Sequence, residues 1–80
     1  MIKVSVLLAD GFEEIEALTA VDLLRRARIY VDTISITDDY TVHGAHGINV
    51  QTEDLFDEVD FSESDMICLL YTSDAADEAR

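Results

Sequence analysis

With a single cysteine, Cys68, in 80 residues, the chain cannot close an intramolecular disulfide, so the disulfide scaffolds of small secreted domains are excluded. Basic side chains are scarce: five Lys and Arg stand against 18 Asp and Glu, for a net charge of −13. The scarcity is uneven, because residues 1–28 hold four of the five basic side chains and beyond them Arg80 is the only one. Such a surface repels phosphate backbones and anionic lipids, so neither nucleic acid nor a membrane surface is an expected partner. Long hydrophobic runs are missing too. The apolar stretch from Val4 to Ala9 is far too short to span a bilayer and does not read as a signal peptide. The expectation is a soluble, cytoplasmic chain smaller than one typical domain.

What is present is a strand and helix alternation. Lys3-Val4-Ser5-Val6-Leu7-Leu8 is β-branched and apolar without strict alternation, which predicts a central strand, ended by Ala9-Asp10-Gly11. A helical pattern runs from Phe12 to Ala27, with Glu13, Glu14 and Glu16 in its first turns and Arg25, Arg26 and Arg28 in its last, matching the helix dipole at both ends. Tyr30 to Thr37 reads as a second strand. Thr41–His43 and Ile48–Thr52 read as short strands around Gly44-Ala45-His46-Gly47, Asp54–Val59 as a helical turn or two, and Asp65-Met66-Ile67 as the start of a further buried strand. Strand, helix and strand in this order predict a parallel βαβ unit and an α/β fold. One long helix can cover only one face of a parallel sheet, so the other face is expected to be bare and the chain molten or aggregating in solution.

Several residues are candidates for a site. On the helix, Ala17, Ala20, Val21, Leu24 and Ala27 define an apolar face at about 100° per residue. Glu16 heads the row Glu16, Ala20, Leu23, Ala27, which places it at the margin of the buried stripe, where burial raises a carboxyl pKa and can leave it protonated as a hydrogen-bond donor. Equally, Glu16 can complement the dipole like Glu13 and Glu14. Gly11 falls between strand and helix, where a backbone N–H can approach a ligand, although a turn requirement explains it as well. His43 and His46 are three apart on strand and turn, a geometry that does not converge them, so no metal site is expected. Ile15 and Leu18 point off the core face and could mark a contact between two copies.

The segment Ala9-Asp10-Gly11-Phe12-Glu13-Glu14-Ile15-Glu16-Ala17-Leu18-Thr19 resembles the ThiJ/PfpI family, in its branch named for the Parkinson-disease deglycase. Val21-Asp22-Leu23-Leu24-Arg25-Arg26-Ala27, Gly44-Ala45-His46-Gly47-Ile48 and Asp57-Glu58-Val59-Asp60-Phe61 continue the likeness in order and spacing to about residue 67. The resemblance implies the N-terminal part of a flavodoxin-like, class I glutamine-amidotransferase-like, three-layer sandwich, commonly a homodimer, with no cofactor. It implies glyoxalase, deglycase, chaperone or peptidase activity, with a small reactive carbonyl or a glycated protein as substrate. It implies that Glu16 partners a cysteine thiolate on a strand-to-helix turn, and that His46 and Arg26 lie near that site, the arginine on the dimer side. A non-catalytic chaperone or ligand-sensing module of the same fold is the alternative. A flavin- or phosphate-binding relative is disfavoured, because Asp10, Glu13 and Glu14 would repel an anion at the first loop.

Three positions depart from the family pattern. Leu70-Tyr71-Thr72 stands where relatives have a Pro-Gly-Gly turn, and no nucleophilic cysteine or nearby histidine follows. Residues 68–78, Cys68 through Glu78, read instead as one frame of a transposon-end sequencing adapter whose preceding base completes the Ile67 codon. The expectation is therefore a truncated domain over 1–67 with a non-native tail over 68–80, inactive on its own. Arg28 replaces the glycine that commonly follows the first helix, and Ala20 replaces a proline. If the left-handed cap is kept, arginine there costs about 1 kcal/mol.

Overall fold

A computed structural model describes residues 2–71. Its element order is β1 (Lys3–Leu8), α1 (Glu14–Arg26), β2 (Tyr30–Ser35), β3 (Thr41–His43), β4 (Asn49–Gln51), β5 (Asp54–Leu55) and β6 (Met66–Leu70), with 3-10 turns at Phe56–Glu58 and Phe61–Glu63 before β6. Four strands form a parallel sheet in the order β5-β2-β1-β6, and β3 and β4 pair as a separate antiparallel hairpin. The central place expected for the first strand is the one it occupies, between β2 and β6.

The register explains the core. Val4 pairs with Val31 and Met66, Val6 with Thr33 and Cys68, and Leu8 with Ser35 and Leu70. Val4, Val6 and Leu8 belong to one buried cluster with Phe12, Ala17, Val21, Val31 and Val42, against which Leu24, Ile29, Val50, Cys68 and Leu70 pack. Thus Ala17 and Val21 of α1 seal one face of the sheet, and Val42 brings the hairpin into the same core. The second face is more complete than a count of helices implies. Leu7 and Ile34 are buried, and Ser5 Oγ meets Ser64 Oγ at 2.6 Å, tying the segment of 3-10 turns to β1. Exposed apolar side chains gather instead on β6, where Met66, Ile67 and Leu69 are each more than half exposed.

The 56–63 segment differs from a helical turn over Asp54–Val59. Asp54 and Leu55 extend the sheet beside Ile34 and Ser35, and the chain then makes two 3-10 turns, with the Phe56 and Phe61 rings 5.3 Å apart and Asp60 accepting from Ser62 N–H. β6 continues unbroken through Leu70, past the junction expected after Ile67, because Cys68, Leu69 and Leu70 are apolar and fit strand positions beside Val6, Leu7 and Leu8. Of the tail expected to be non-native, residues 72–80 lie outside the described residues. Among the described residues no helix is long and apolar enough to cross a membrane.

Helix α1 ends in a Schellman arrangement. Ile29 N–H donates to Leu24 O and Arg28 N–H to Arg25 O, both at 3.0 Å, and Leu24 and Ile29 each pack against the core cluster. Arg28 takes φ 66°, the left-handed conformation that the motif demands and that a Cβ penalises. The left-handed cap is thus kept with arginine in it. Arg28→Gly should raise stability by about 1 kcal/mol, read as a higher denaturant midpoint with an unchanged slope; a lower midpoint would show that the arginine side chain compensates for the strain.

Candidate functional site

The carboxyl ends of parallel strands are where open α/β sheets present their ligand sites. At the end of β1 the chain turns sharply through Ala9-Asp10-Gly11 into α1, and Gly11 adopts φ 89°, which a side chain would strain. The β3–β4 hairpin docks on this elbow through the backbone: Gly11 N–H donates to His43 O at 2.7 Å, Ala45 N–H to Phe12 O at 2.9 Å, and His43 N–H to the Asp10 carboxylate at 2.9 Å. Phe12, fully buried, anchors the elbow from beneath.

Glu14 completes the attachment. Its side chain is buried, and Oε2 accepts the backbone N–H of His46 at 2.7 Å and of Ile48 at 3.2 Å, while Oε1 lies 3.0 Å from His46 Nδ1. Burial works to raise the Glu14 pKa. The bonds from the His46 ring, from its own N–H and from the N–H groups of His46 and Ile48 outweigh that and hold the carboxyl at about 2. Reciprocally, the bond to Glu14 raises the His46 pKa, and the charges of Glu13 and Glu14 add to the effect. Gly44 makes room for this carboxylate: a Cβ there would collide with the Glu14 side chain.

The candidates named from sequence divide accordingly. Gly11 and His46 are brought together at the elbow. Glu16 is not at the buried margin: it is solvent-exposed, and its row continues through Leu23 and Ala27, which are exposed as well. The buried stripe of α1 runs instead through Glu14, Ala17 and Val21. Extending the spacing of Ala17, Val21 and Leu24 back by one turn lands on Glu14, the signal that the helical wheel held and that assigning all first-turn acids to the dipole concealed. Arg26 sits on the far end of α1, exposed, in an i,i+4 pair with Asp22. The two histidine rings have different partners: His43 Nδ1 lies 2.8 Å from Asn49 Oδ1, and His46 Nδ1 lies 3.0 Å from Glu14 Oε1.

Arg25 has a part that sequence reading missed. Its guanidinium donates to Val31 O at 3.0 Å and to Glu53 Oε1 at 2.7 Å, and that same oxygen accepts from Thr33 N–H and Oγ. A separate hollow of about 240 Å³ is lined by Lys3, Asp32, Asp54, Glu58, Val59, Asp60 and Glu63. Burial, and then the bond to Asp54, push the Asp32 carboxyl up to about 6.

The sequence matches the DJ-1/PfpI family over residues 2–70. Among solved structures, oxidised DJ-1 of Toxoplasma gondii is 33% identical with a TM-score of 0.84, over 90% of this chain and 39% of that one. A cysteine-to-alanine mutant of a DJ-1 superfamily protein from Salmonella typhimurium is 41% identical with a TM-score of 0.71, over 72% of this chain and 31% of the other. A DJ-1 superfamily protein from Agrobacterium tumefaciens shares the fold with a TM-score of 0.79 at 16% identity, over the whole of this chain and 43% of that one. The chain therefore spans less than half the length of these structures. No curated protein sequence matches it.

The staple should be pH-dependent from both sides. Glu14 has a folded pKa below its ordinary 4.5, so its contribution is present above 4.5 and is lost as pH falls toward about 2. His46 has a folded pKa above 6.5, so its contribution is full below 6.5 and is lost as pH rises through the raised value. Stability contributed by the pair should be greatest between these limits, and Glu14→Ala should flatten the profile. Gly44→Ala, which forces the carboxylate out, should cost about 1–3 kcal/mol; a cost within experimental error would mean that the turn does not depend on the Glu14 contact.

Proposed function

Because the chain belongs to the DJ-1/PfpI family, we propose that it is the N-terminal part of a cysteine-dependent glyoxalase or deglycase acting on methylglyoxal or its protein adducts. In this reading residues 1–67 supply the first strand, the elbow and a supporting carboxyl, and the nucleophile comes from sequence that this chain does not contain. The observation that carries the reading is the family match over residues 2–70, laid on an elbow that leaves Glu16 exposed at the carboxyl end of β1. An exposed carboxyl one turn into α1 is available to a group outside these residues. Against a thiolate it would serve as a hydrogen-bonding partner. Gly11 and His46 frame the same elbow. Ile15, 79% exposed, and Leu18, 39% exposed, lie on the flank of α1 and would meet a second copy; the guanidinium of Arg26, released from Asp22, would face that partner.

The 80-residue chain should consume no methylglyoxal above buffer. A chimera joining residues 1–67 to the remainder of a catalytically active relative should consume it, and Glu16→Ala in the chimera should lower kcat by about 100-fold or more, the scale of a positioned proton donor. Turnover by the isolated chain that Glu16→Ala abolishes would contradict the proposal. An inactive but well-folded chimera would favour the non-catalytic, ligand-sensing reading.

A further inference from the structure

Asp32 is an aspartate buried within a parallel sheet. It lies on β2, paired with Ser5 of β1, and is 5% exposed. Its side chain shares a face of the sheet with that of Asp54 on the neighbouring strand, because Ile34, two residues on from Asp32, is the register partner of Asp54. The two carboxyl groups hydrogen-bond to each other. An ionised carboxylate has no proton to donate, so this bond exists only while one of the pair is protonated. With both ionised, the same contact becomes a repulsion between like charges.

The pair belongs to a larger arrangement. β5 and β6 are the two edges of the sheet, so the segment that joins them has to cross it. Ser64 Oγ meets Ser5 Oγ at 2.6 Å, and Ser5 is the partner of Asp32, which puts the crossing on the Asp32 face. Its two ends are tied to the sheet by the main chain, Glu53 N–H donating to Thr33 O at 3.0 Å and Asp65 N–H to Lys3 O at 2.8 Å. Between them, Glu58, Val59, Asp60 and Glu63 line the hollow into which Asp32 and Asp54 also face. Glu58 accepts from the Tyr40 hydroxyl and Asp60 from Ser62 N–H, while Glu53, beside Asp54, is held by Arg25 of α1 and by Thr33. Lys3 is the one basic side chain among the lining residues, and its Nζ stands 5.5 Å from the centre of the Tyr30 ring. Burial, the bond to Asp54 and the charges of Asp54 and Glu53 all favour a protonated Asp32, and Lys3 opposes them.

We propose that residues 54–64 form a strap which a proton shared by Asp32 and Asp54 holds against the sheet, and that loss of this proton loosens it. The folded pKa of Asp32, about 6, lies above the ordinary 3.8, so the closing contribution is complete below 3.8 and is lost as pH rises through about 6. The strap is therefore shut in mild acid and loosened at neutral pH. This is opposite in sense to the Glu14 attachment at the elbow, which strengthens as pH rises from about 2. The device does not depend on the activity proposed above, because both carboxyl groups and the strap lie within this chain.

Amide hydrogen exchange of the 80-residue chain at pH 5 and pH 7, corrected for the intrinsic rate at each pH, tests the proposal. With Asp32 at 3.8 when the strap is open and about 6 when it is shut, opening becomes about tenfold more frequent at pH 7 than at pH 5. The Glu53 and Asp65 amides should lose protection by that factor, and the Ile36 amide, bonded to Leu8 O between the interior strands, should not. Asp32→Asn offers Asp54 an N–H donor at every pH and should abolish the difference. Equal protection of the Glu53 and Asp65 amides at both pH values, a tenfold change that persists in Asp32→Asn, or an equal change at Ile36 would overturn the proposal. Should Asp32→Asn lose the native circular dichroism spectrum, the wild-type exchange decides alone: loosening at Glu53 and Asp65 without Ile36 supports the strap, and any other pattern refutes it.

Discussion

A carboxylate buried at the start of a helix and bonded to the backbone of a distant turn is the constraint on which this arrangement rests. Glu14 could point to water from the first turn of α1, as its neighbours Ile15 and Glu16 do. It instead accepts two N–H groups from residues more than thirty positions away, where each would otherwise be a donor in need of a partner. Leaving such a charge buried and unpaired is costly, so the elbow and the turn hold each other. Gly44 is a consequence of that contact, since no side chain fits where the carboxylate lies. Gly11 is a second consequence, because its left-handed conformation puts its N–H on His43 O.

This attachment determines what the carboxyl end of β1 presents. The hairpin closes one side of the elbow, Val42 is drawn into the core beneath it, and Glu16 is left on the open flank. The division of labour between two acids two residues apart therefore follows from helix geometry: successive positions rotate by about 100°, so Glu14 and Glu16 cannot share an environment. One acid is structural and fully bonded. The other is exposed.

Most of the sheet was legible in the sequence, because β1, β2 and the β3–β4 hairpin carry β-branched runs bounded by glycine and aspartate. The cap at Arg28 was legible as well, with its positive φ inferred from the glycine that relatives place there. The 3-10 turns at 56–63 were not, since three-residue turns leave no periodicity to read. Nor was the burial of Leu7 and Ile34, on the face that a single helix was expected to leave bare. The geometry around the elbow was legible only in part. Gly11 and His46 stood out by position and chemistry, but Glu14 was obscured because a glutamate in a first helical turn ordinarily serves the dipole, and only its contact with a turn far along the chain shows otherwise. Glu16 was placed on the stripe by three apolar row-mates, of which Leu23 and Ala27 proved exposed.

The attachment of the hairpin to the elbow depends on Glu14 being ionised and held by the turn, and titrating that one side-chain carboxyl by carbon-13 NMR examines it directly. The midpoint should lie near 2, well below the ordinary 4.5, and the amide resonances of His46 and Ile48 should move with the same midpoint. A Glu14 carboxyl that titrates at or above 4.5, with those two amides indifferent to it, would contradict the account.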